Sequence, residues 1–325
     1  MYRKKETRTV PVKIPNDLPV RATLESENIF VMDEKRAVHQ DIRPLQIAIL
    51  NLMPLKEDTE LQLLRVLSNS PLQVDVTFLC TASHSAKNVS KSHLDQFYLT
   101  FDDVKERSFD GMIVTGAPIE LMEYEEVDFW PELTCIFDWT ETHVTSTMFQ
   151  CWGAQAALYY FYGIPKRLLP KKTFGVFSHR VTHRRIPLVR SFDDVFLAPH
   201  SRHTEPDQER LRAEPLITVL AESPEAGFFL GMADEGRKIF VQGHPEYDRL
   251  TLDKEYRRDL SRNRPIELPV NYYPDGDPTR EPLLTWRSNS ANLYENWLNY
   301  YVYQVTPYDI YGIPSLAGRP PSKNR

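Results

Sequence analysis

The chain is 325 residues long, 41% hydrophobic and 26% charged, with a formal net charge of −6; this is the make-up of a soluble globular enzyme of one or two domains. Such mild acidity argues against broad nucleic-acid binding, and no apolar run reaches membrane-spanning length, because Asn51, Pro54 and Lys56 interrupt the best candidate around Leu50. Three cysteines make no disulfide framework and read as reduced thiols; residues 1–8 are basic but no apolar stretch follows, so no signal peptide is evident and a cytoplasmic location is expected.

Residues 1–43 carry Pro11, Pro15, Pro19 and many charges, and read as an N-terminal arm wrapping the domain. A buried strand is predicted over 45–50. Asp58 and Thr59 open a helix through Leu61, Leu64 and Leu67 that stops near Asn69-Ser70-Pro71. Residues 74–79 alternate as a second strand. Residues 111–115 form a third, closed by Gly116-Ala117-Pro118. Pro131 opens a helix through Ile136 and Trp139. A β-branched, apolar strand then runs over 144–149 to Cys151, and a helix over 154–162 ends at Gly163. Residues 239–242 form a strand just before His244. From 262 onward the chain is loop-rich, with Pro265, Pro269, Pro274, Pro278 and Pro282, and one helix over 291–303 packs through Leu293, Trp297, Tyr300 and Tyr301.

Strand alternating with helix predicts an α/β fold: a parallel sheet between two helical layers, a three-layer sandwich. The chain divides into the arm at 1–43, an α/β catalytic core at 44–261, and a C-terminal extension at 262–325 packed on the same domain. In such sheets the site lies beyond the carboxyl ends of the strands.

Cys151 falls there, lifted out of the sheet at a strand-to-helix turn, where the positive end of a helix dipole favours thiolate. So does His244, in His244-Pro245-Glu246, where a carboxylate two residues on reaches one ring nitrogen while the other faces the thiol. The three make a nucleophile, a base and a group that orients the base. The competing reading is a buried structural cysteine and a loop histidine beside a surface glutamate. Cys80 and Cys135 have no such partners and read as core residues. His179 and His183 are four apart and His200 and His203 three apart, but no Asp or Glu has the spacing of a zinc-binding helix, so no metal is expected. Neither a glycine-rich phosphate loop nor a Gly-x-Ser-x-Gly elbow is present. Spacing assigns nothing to Glu120, Lys172, Ser201 or Arg258.

Several longer strings resemble the homoserine O-acyltransferase (MetA) family. They include Asn51-Leu52-Met53-Pro54, Val114-Thr115-Gly116-Ala117-Pro118, Ala198-Pro199-His200-Ser201-Arg202, Gly243-His244-Pro245-Glu246-Tyr247-Asp248 and Asn296-Trp297-Leu298-Asn299-Tyr300-Tyr301. The resemblance runs from about Val10 to Asp309. It implies a fold like that of class I glutamine amidotransferases, and transfer of an acyl group from acyl-coenzyme A to the hydroxyl of L-homoserine in methionine biosynthesis. It matches Cys151 to the nucleophile that carries the acyl group, His244 to the base, Glu246 to the supporting carboxylate, and Lys172, Ser201 and Arg258 to substrate binding. Glu120 matches the position that sets acyl-donor choice, and glutamate there goes with acetyl. The chain is therefore most like homoserine O-acetyltransferases, with acetyl-CoA as co-substrate, no permanently bound cofactor, and a possible homodimer. The backbone N–H groups of Trp152 and Ala117 are the expected oxyanion donors. The alternatives are a succinyl donor, a class I glutamine amidotransferase, for which Phe149 stands where glycine is usual, and a binding protein that has lost the chemistry.

Overall fold

The apolar run Leu45–Leu50 becomes β3, between the strands Val74–Leu79 and Phe109–Val114 in a twelve-stranded sheet. The computed structural model describes residues 12–15, 17–27, 31–32, 43–83, 90–307 and 313. Strands in chain order are β1 (Val12–Lys13), β2 (Val31–Met32), β3, β4 (Val74–Leu79), β5 (Tyr98–Leu99), β6 (Phe109–Val114), β7 (Val144–Gln150), β8 (Lys166–Val181), β9 (Val195–Pro206), β10 (Ile217–Ser223), β11 (Gly227–Ala233) and β12 (Lys238–Val241). The sheet runs β2-β1-β4-β3-β6-β7-β12-β11-β10-β8-β9, with β5 beside β4. Pairing is parallel from β2 to β12 and antiparallel from β12 to β9. The parallel half matches the sequence reading, which assigned nothing to β8–β11.

Strands β6 and β7 are buried along their whole length, because helices cover both faces, as parallel strands require. The helices are α1 (Arg21–Ser26), α2 (Lys56–Leu67), α3 (Lys91–Phe97), α4 (Phe101–Val104), α5 (Trp130–His143), α6 (Trp152–Tyr162), α7 (Gln208–Ala213), α8 (Thr251–Ser261) and α9 (Arg287–Asn296). On one face Leu63, Leu64 and Leu67 of α2 pack with Leu293, Trp297 and Leu298. On the other, Leu133, Ile136 and Phe137 of α5 pack with Trp152, Ala156 and Leu158 of α6. Gly163 stops α6 in the left-handed conformation (φ 65°), which glycine adopts without a Cβ penalty. Cys135 departs from the expected core position: it is exposed, off the apolar stripe formed by Leu133, Ile136 and Phe137.

Two segments differ from their expected form. Of the arm, the described residues add β1 and β2 to the sheet edge beside β4 and bury Ile14, Leu18 and Leu24; Pro11 lies outside the described residues. The helix expected over 291–303 is α-helical only to Asn296 and continues as a π-helix over Trp297–Tyr303. The wider turn lets Trp297 and Val302 both press on Gly111, where a Cβ would come within 3.0 Å of Trp297 and 3.1 Å of Val302. The Trp297 indole N–H donates to Ser146 Oγ at 3.0 Å.

Helix α6 lies unusually close to β6. A Cβ on Gly153 would sit 2.6 Å from Thr115 O and 3.0 Å from Val114 O, and those backbone atoms cannot swing aside. Gly153→Ala is therefore expected to lower stability by about 1–3 kcal/mol, the usual cost of overpacking, measurable as a lower urea midpoint. An unchanged midpoint would mean that α6 can move off the strand.

Candidate active site

Parallel register brings Cys151 and His244 together. Strands β7 and β12 are neighbours, with Gln150 opposite Val241, so the residues just past their ends meet. Cys151 N–H donates to Val241 O at 2.7 Å. Cys151 sits at the N-cap of α6 with φ 47° and ψ −114°, a conformation that a non-glycine residue holds only when its surroundings impose it. The sharp turn points the thiol out of the sheet at the positive end of the α6 dipole. Gly116 makes room for it: a Cβ there would lie 3.1 Å from Cys151 Cβ and 3.6 Å from Trp152 N. The Gly116-Ala117 turn and the first N–H of α6 thus flank the sulfur.

His244 Nδ1 hydrogen-bonds Glu246 Oε1 at 2.8 Å, and both residues are buried. The two residues share a tight turn, not an extended segment, closed by the Tyr247 N–H on His244 O at 3.1 Å. The Tyr247 ring stacks on the imidazole at 4.1 Å between centroids. Burial works against charge on His244, but the Cys151 sulfur and the Glu246 carboxylate outweigh it and hold the imidazole well above its ordinary range.

Cys151 and His244 line a pocket of about 530 Å³. Its lining includes the apolar side chains of Met53, Pro54, Leu55, Ile119, Leu121 and Met122, and the polar group Lys172, Ser201, Glu255 and Arg258. Lys172 reaches it from β8 and Ser201 from β9, whose antiparallel register sets Phe174 opposite Ser201. All three substrate candidates converge on Glu255 of α8, which the sequence reading did not single out. Lys172 Nζ lies 2.5 Å from Glu255 Oε1, Ser201 Oγ donates to Oε2 at 2.8 Å, and Arg258 approaches Oε1 to 3.6 Å. Arg258 is held in turn by Asp259, at 2.8 and 3.1 Å. A carboxylate among cations at one pocket wall is the complement of a zwitterion. Only its contacts mark Glu255; no sequence spacing does.

Glu120 enters the pocket from the loop after β6 and accepts the His203 N–H at 2.8 Å. Burial pushes its carboxyl above the ordinary range, against that hydrogen bond and the charges of His203, Lys172 and His244. A second residue missed in the sequence is Lys56. It is buried, donates to Asn51 O and fixes the loop that presents Met53 and Pro54, and burial pulls its ammonium down to about 8. Among the described residues, no three His, Cys, Asp or Glu side chains form a metal site. No helix among them is long and apolar enough to cross a membrane.

Fold and site together define an α/β enzyme with a thiol, an imidazole and a carboxylate in line at its strand ends. The sequence model of the homoserine O-succinyltransferase family matches residues 11–308, and the chain belongs to that family of homoserine O-acyltransferases. It is 63% identical to a protein from Agathobacter rectalis named homoserine O-acetyltransferase, over 95% of this chain and 100% of that one. Another so named, from Lachnoclostridium phytofermentans, is 62% identical over 93% of this chain and 100% of its own. Among solved structures, a glutamine amidotransferase from Thermotoga maritima matches with a TM-score of 0.49 at 12% identity, covering 81% of this chain and 100% of that one. That likeness is too loose to bear on activity.

Proposed function

We propose that this chain transfers an acetyl group from acetyl-CoA to the side-chain hydroxyl of L-homoserine, through an acyl-cysteine on Cys151. The observation that carries the reading is the strained Cys151 beside the buried His244–Glu246 pair, opening on a pocket lined by both apolar and charged side chains. His244 takes the Cys151 proton and the sulfur attacks the thioester carbonyl. The oxyanion meets the N–H groups of Trp152 and Ala117, preset donors of the kind that lower such barriers most. Collapse expels the thiolate of coenzyme A, which leaves with the proton from His244. Homoserine then gives its hydroxyl proton to His244, and its oxygen attacks the acyl-cysteine. The second collapse frees the Cys151 sulfur, and the imidazolium returns its proton. Glu246 stabilises the imidazolium in both halves. The pantetheine arm of the donor suits the wall of Met53, Pro54 and Leu121. The homoserine carboxylate suits Arg258 and Lys172, and its ammonium suits Glu255.

The test is thiol release from coenzyme A with L-homoserine and either acetyl- or succinyl-CoA. Homoserine-dependent release from the acetyl donor supports the reading; release from succinyl-CoA alone keeps the family and discards the donor.

Glu120 decides the donor in this reading. A succinyl carboxylate about 4 Å from an ionised Glu120 is repelled by roughly 4 kcal/mol at an effective dielectric near 20, on the order of a thousandfold in rate. Glu120→Gly is expected to admit succinyl-CoA with a gain approaching that factor. In the unmodified chain the exclusion should weaken as pH falls, because the raised carboxyl of Glu120 takes up its proton earlier than an ordinary carboxylate. A donor ratio that is flat with pH, with no succinyl use by the glycine variant, would sink the pocket account.

Glu255→Gln is expected to raise KM for homoserine at least tenfold, about the effect of losing a charge-assisted hydrogen bond, and to leave KM for acetyl-CoA unchanged. Equal changes in both constants would instead mean that the whole α8 wall has shifted.

A further inference from the structure

Outside the pocket lining, the nucleophile and the base are backed by a buried polar chain that the mechanism above does not use. It consists of Arg202, His200 and His179, each at most 1% exposed. Hydrogen-bond direction fixes its protons. A guanidinium only donates, so Arg202 Nε, 3.5 Å from His200 Nδ1, makes that nitrogen the acceptor. His200 then carries its proton on Nε2 and donates it to His179 Nε2 at 3.0 Å. Burial holds both imidazoles below their ordinary range, His179 at about 3, so the only full charge in the chain is the guanidinium.

The remaining Arg202 donors reach into both halves of the site. Nη1 donates to Thr204 O at 2.8 Å and Nη2 to Ala226 O, at the turn before β11. Thr204 O also accepts from Gln155 Nε2 at 3.2 Å, and Thr204 Oγ1 donates to Gln155 Oε1 at 2.8 Å. Gln155 N–H in turn closes the first turn of α6 on Cys151 O at 3.1 Å. Arg202 thus grips the strand that clamps the nucleophile's helix. Towards the base, the His200 ring lies against Gly243, where a Cβ would come within 3.1 Å of it. The adjacent Pro199 O accepts the His244 N–H at 2.9 Å. The carboxylate nearest the guanidinium, Glu205, stands off at 3.6 Å, while Cys151 and Glu120 lie within its electrostatic reach. A buried cation so loosely paired adds little to stability against an apolar side chain of the same size.

We propose that Arg202 is a positioning residue for acyl transfer: its guanidinium ties the Cys151 elbow to the His244 turn, and its buried charge favours negative charge on the sulfur. The proposal rests on the reading of Cys151 and His244 as nucleophile and base. It is tested on the full chain with Arg202→Met, which removes the charge, and Arg202→Lys, which keeps it. The readouts are the pH dependence of iodoacetamide alkylation, followed on the Cys151 peptide by mass spectrometry, together with kcat/KM and the thermal midpoint. In the methionine variant the alkylation midpoint is expected to rise by about one pH unit and kcat/KM to fall about a hundredfold, the order of loss that misplacing a reacting group produces. The lysine variant should keep the wild-type alkylation midpoint yet lose about tenfold in rate, because one ammonium cannot serve Thr204 O, Ala226 O and His200 Nδ1 together. A folded methionine variant with an unshifted alkylation midpoint overturns the proposal, whatever its thermal midpoint. If the methionine variant does not fold, the lysine variant decides: a kcat/KM within twofold of wild type overturns the proposal, and the tenfold loss upholds it. Activity that persists in Cys151→Ala would overturn the functional reading itself, and the alkylation assay is independent of both donors.

Discussion

Cys151→Ala is expected to abolish homoserine-dependent thiol release, by at least about ten-thousandfold in kcat, the scale on which loss of a nucleophile acts when its partners function as a unit. The geometry leaves no substitute. Cys135 is exposed on α5, and Cys80 follows β4, three strands from β7 in the sheet order. The loss should come without unfolding, because Cys151 makes its structural contacts through backbone: its N–H on Val241 O and its carbonyl under Gln155 N–H. Alanine keeps both and keeps the same strained φ. The wild type incubated with acetyl-CoA alone should carry an acyl adduct on the Cys151 peptide, and the variant none. Turnover by the variant within tenfold of wild type would leave the strained elbow without a chemical role and move the acyl group directly from donor to homoserine.

How much of this site could be read beforehand depended on how each residue is positioned. Cys151 is legible because a β-branched run switches to an Ala- and aromatic-rich run around it, and that switch is the elbow itself. His244 follows a short apolar strand, but alone it is an ordinary loop histidine; its meaning comes from Val241 lying opposite Gln150 in the sheet. Glu255 is out of reach. It sits on α8 and meets Lys172 from β8 and Ser201 from β9, three elements joined by tertiary packing alone.

The same distinction applies to the fold. Strands β3, β4, β6 and β7 are buried by helices and show as apolar runs. Strand β8 does not: it contains Pro170 and five lysines or arginines, and much of its first half is exposed. One solvated face in an antiparallel hairpin removes the apolar signal. Cys135 was placed in the core because helix periodicity fixes a stripe but leaves its edges ambiguous. The π-helical turn at Trp297 follows from the fit against Gly111, which no local propensity records.

The second large effect is expected at Glu246. Glu246→Gln should lower kcat by about a thousandfold or more with little change in KM, since the carboxylate acts on the imidazole and the pocket walls are untouched. One carboxylate oxygen holds His244 Nδ1 at 2.8 Å, and the other is buried with no hydrogen-bond partner among the described residues. Glutamine can therefore keep its oxygen on Nδ1 and turn its amide into the space of the second oxygen, so the tautomer and the turn survive while the charge is lost. That charge matters because, in the proposed transfer, His244 becomes a buried imidazolium twice in each cycle. Without it, burial disfavours the cation. The sign follows: the carboxylate raises the folded-state pKa of His244, so its removal must lower the pH at which the ring gives up its proton. The fall should be readable by NMR of the labelled imidazole. A variant that lost activity while the His244 titration stayed in place would show that Glu246 only shapes the turn; one that kept both would remove it from the mechanism.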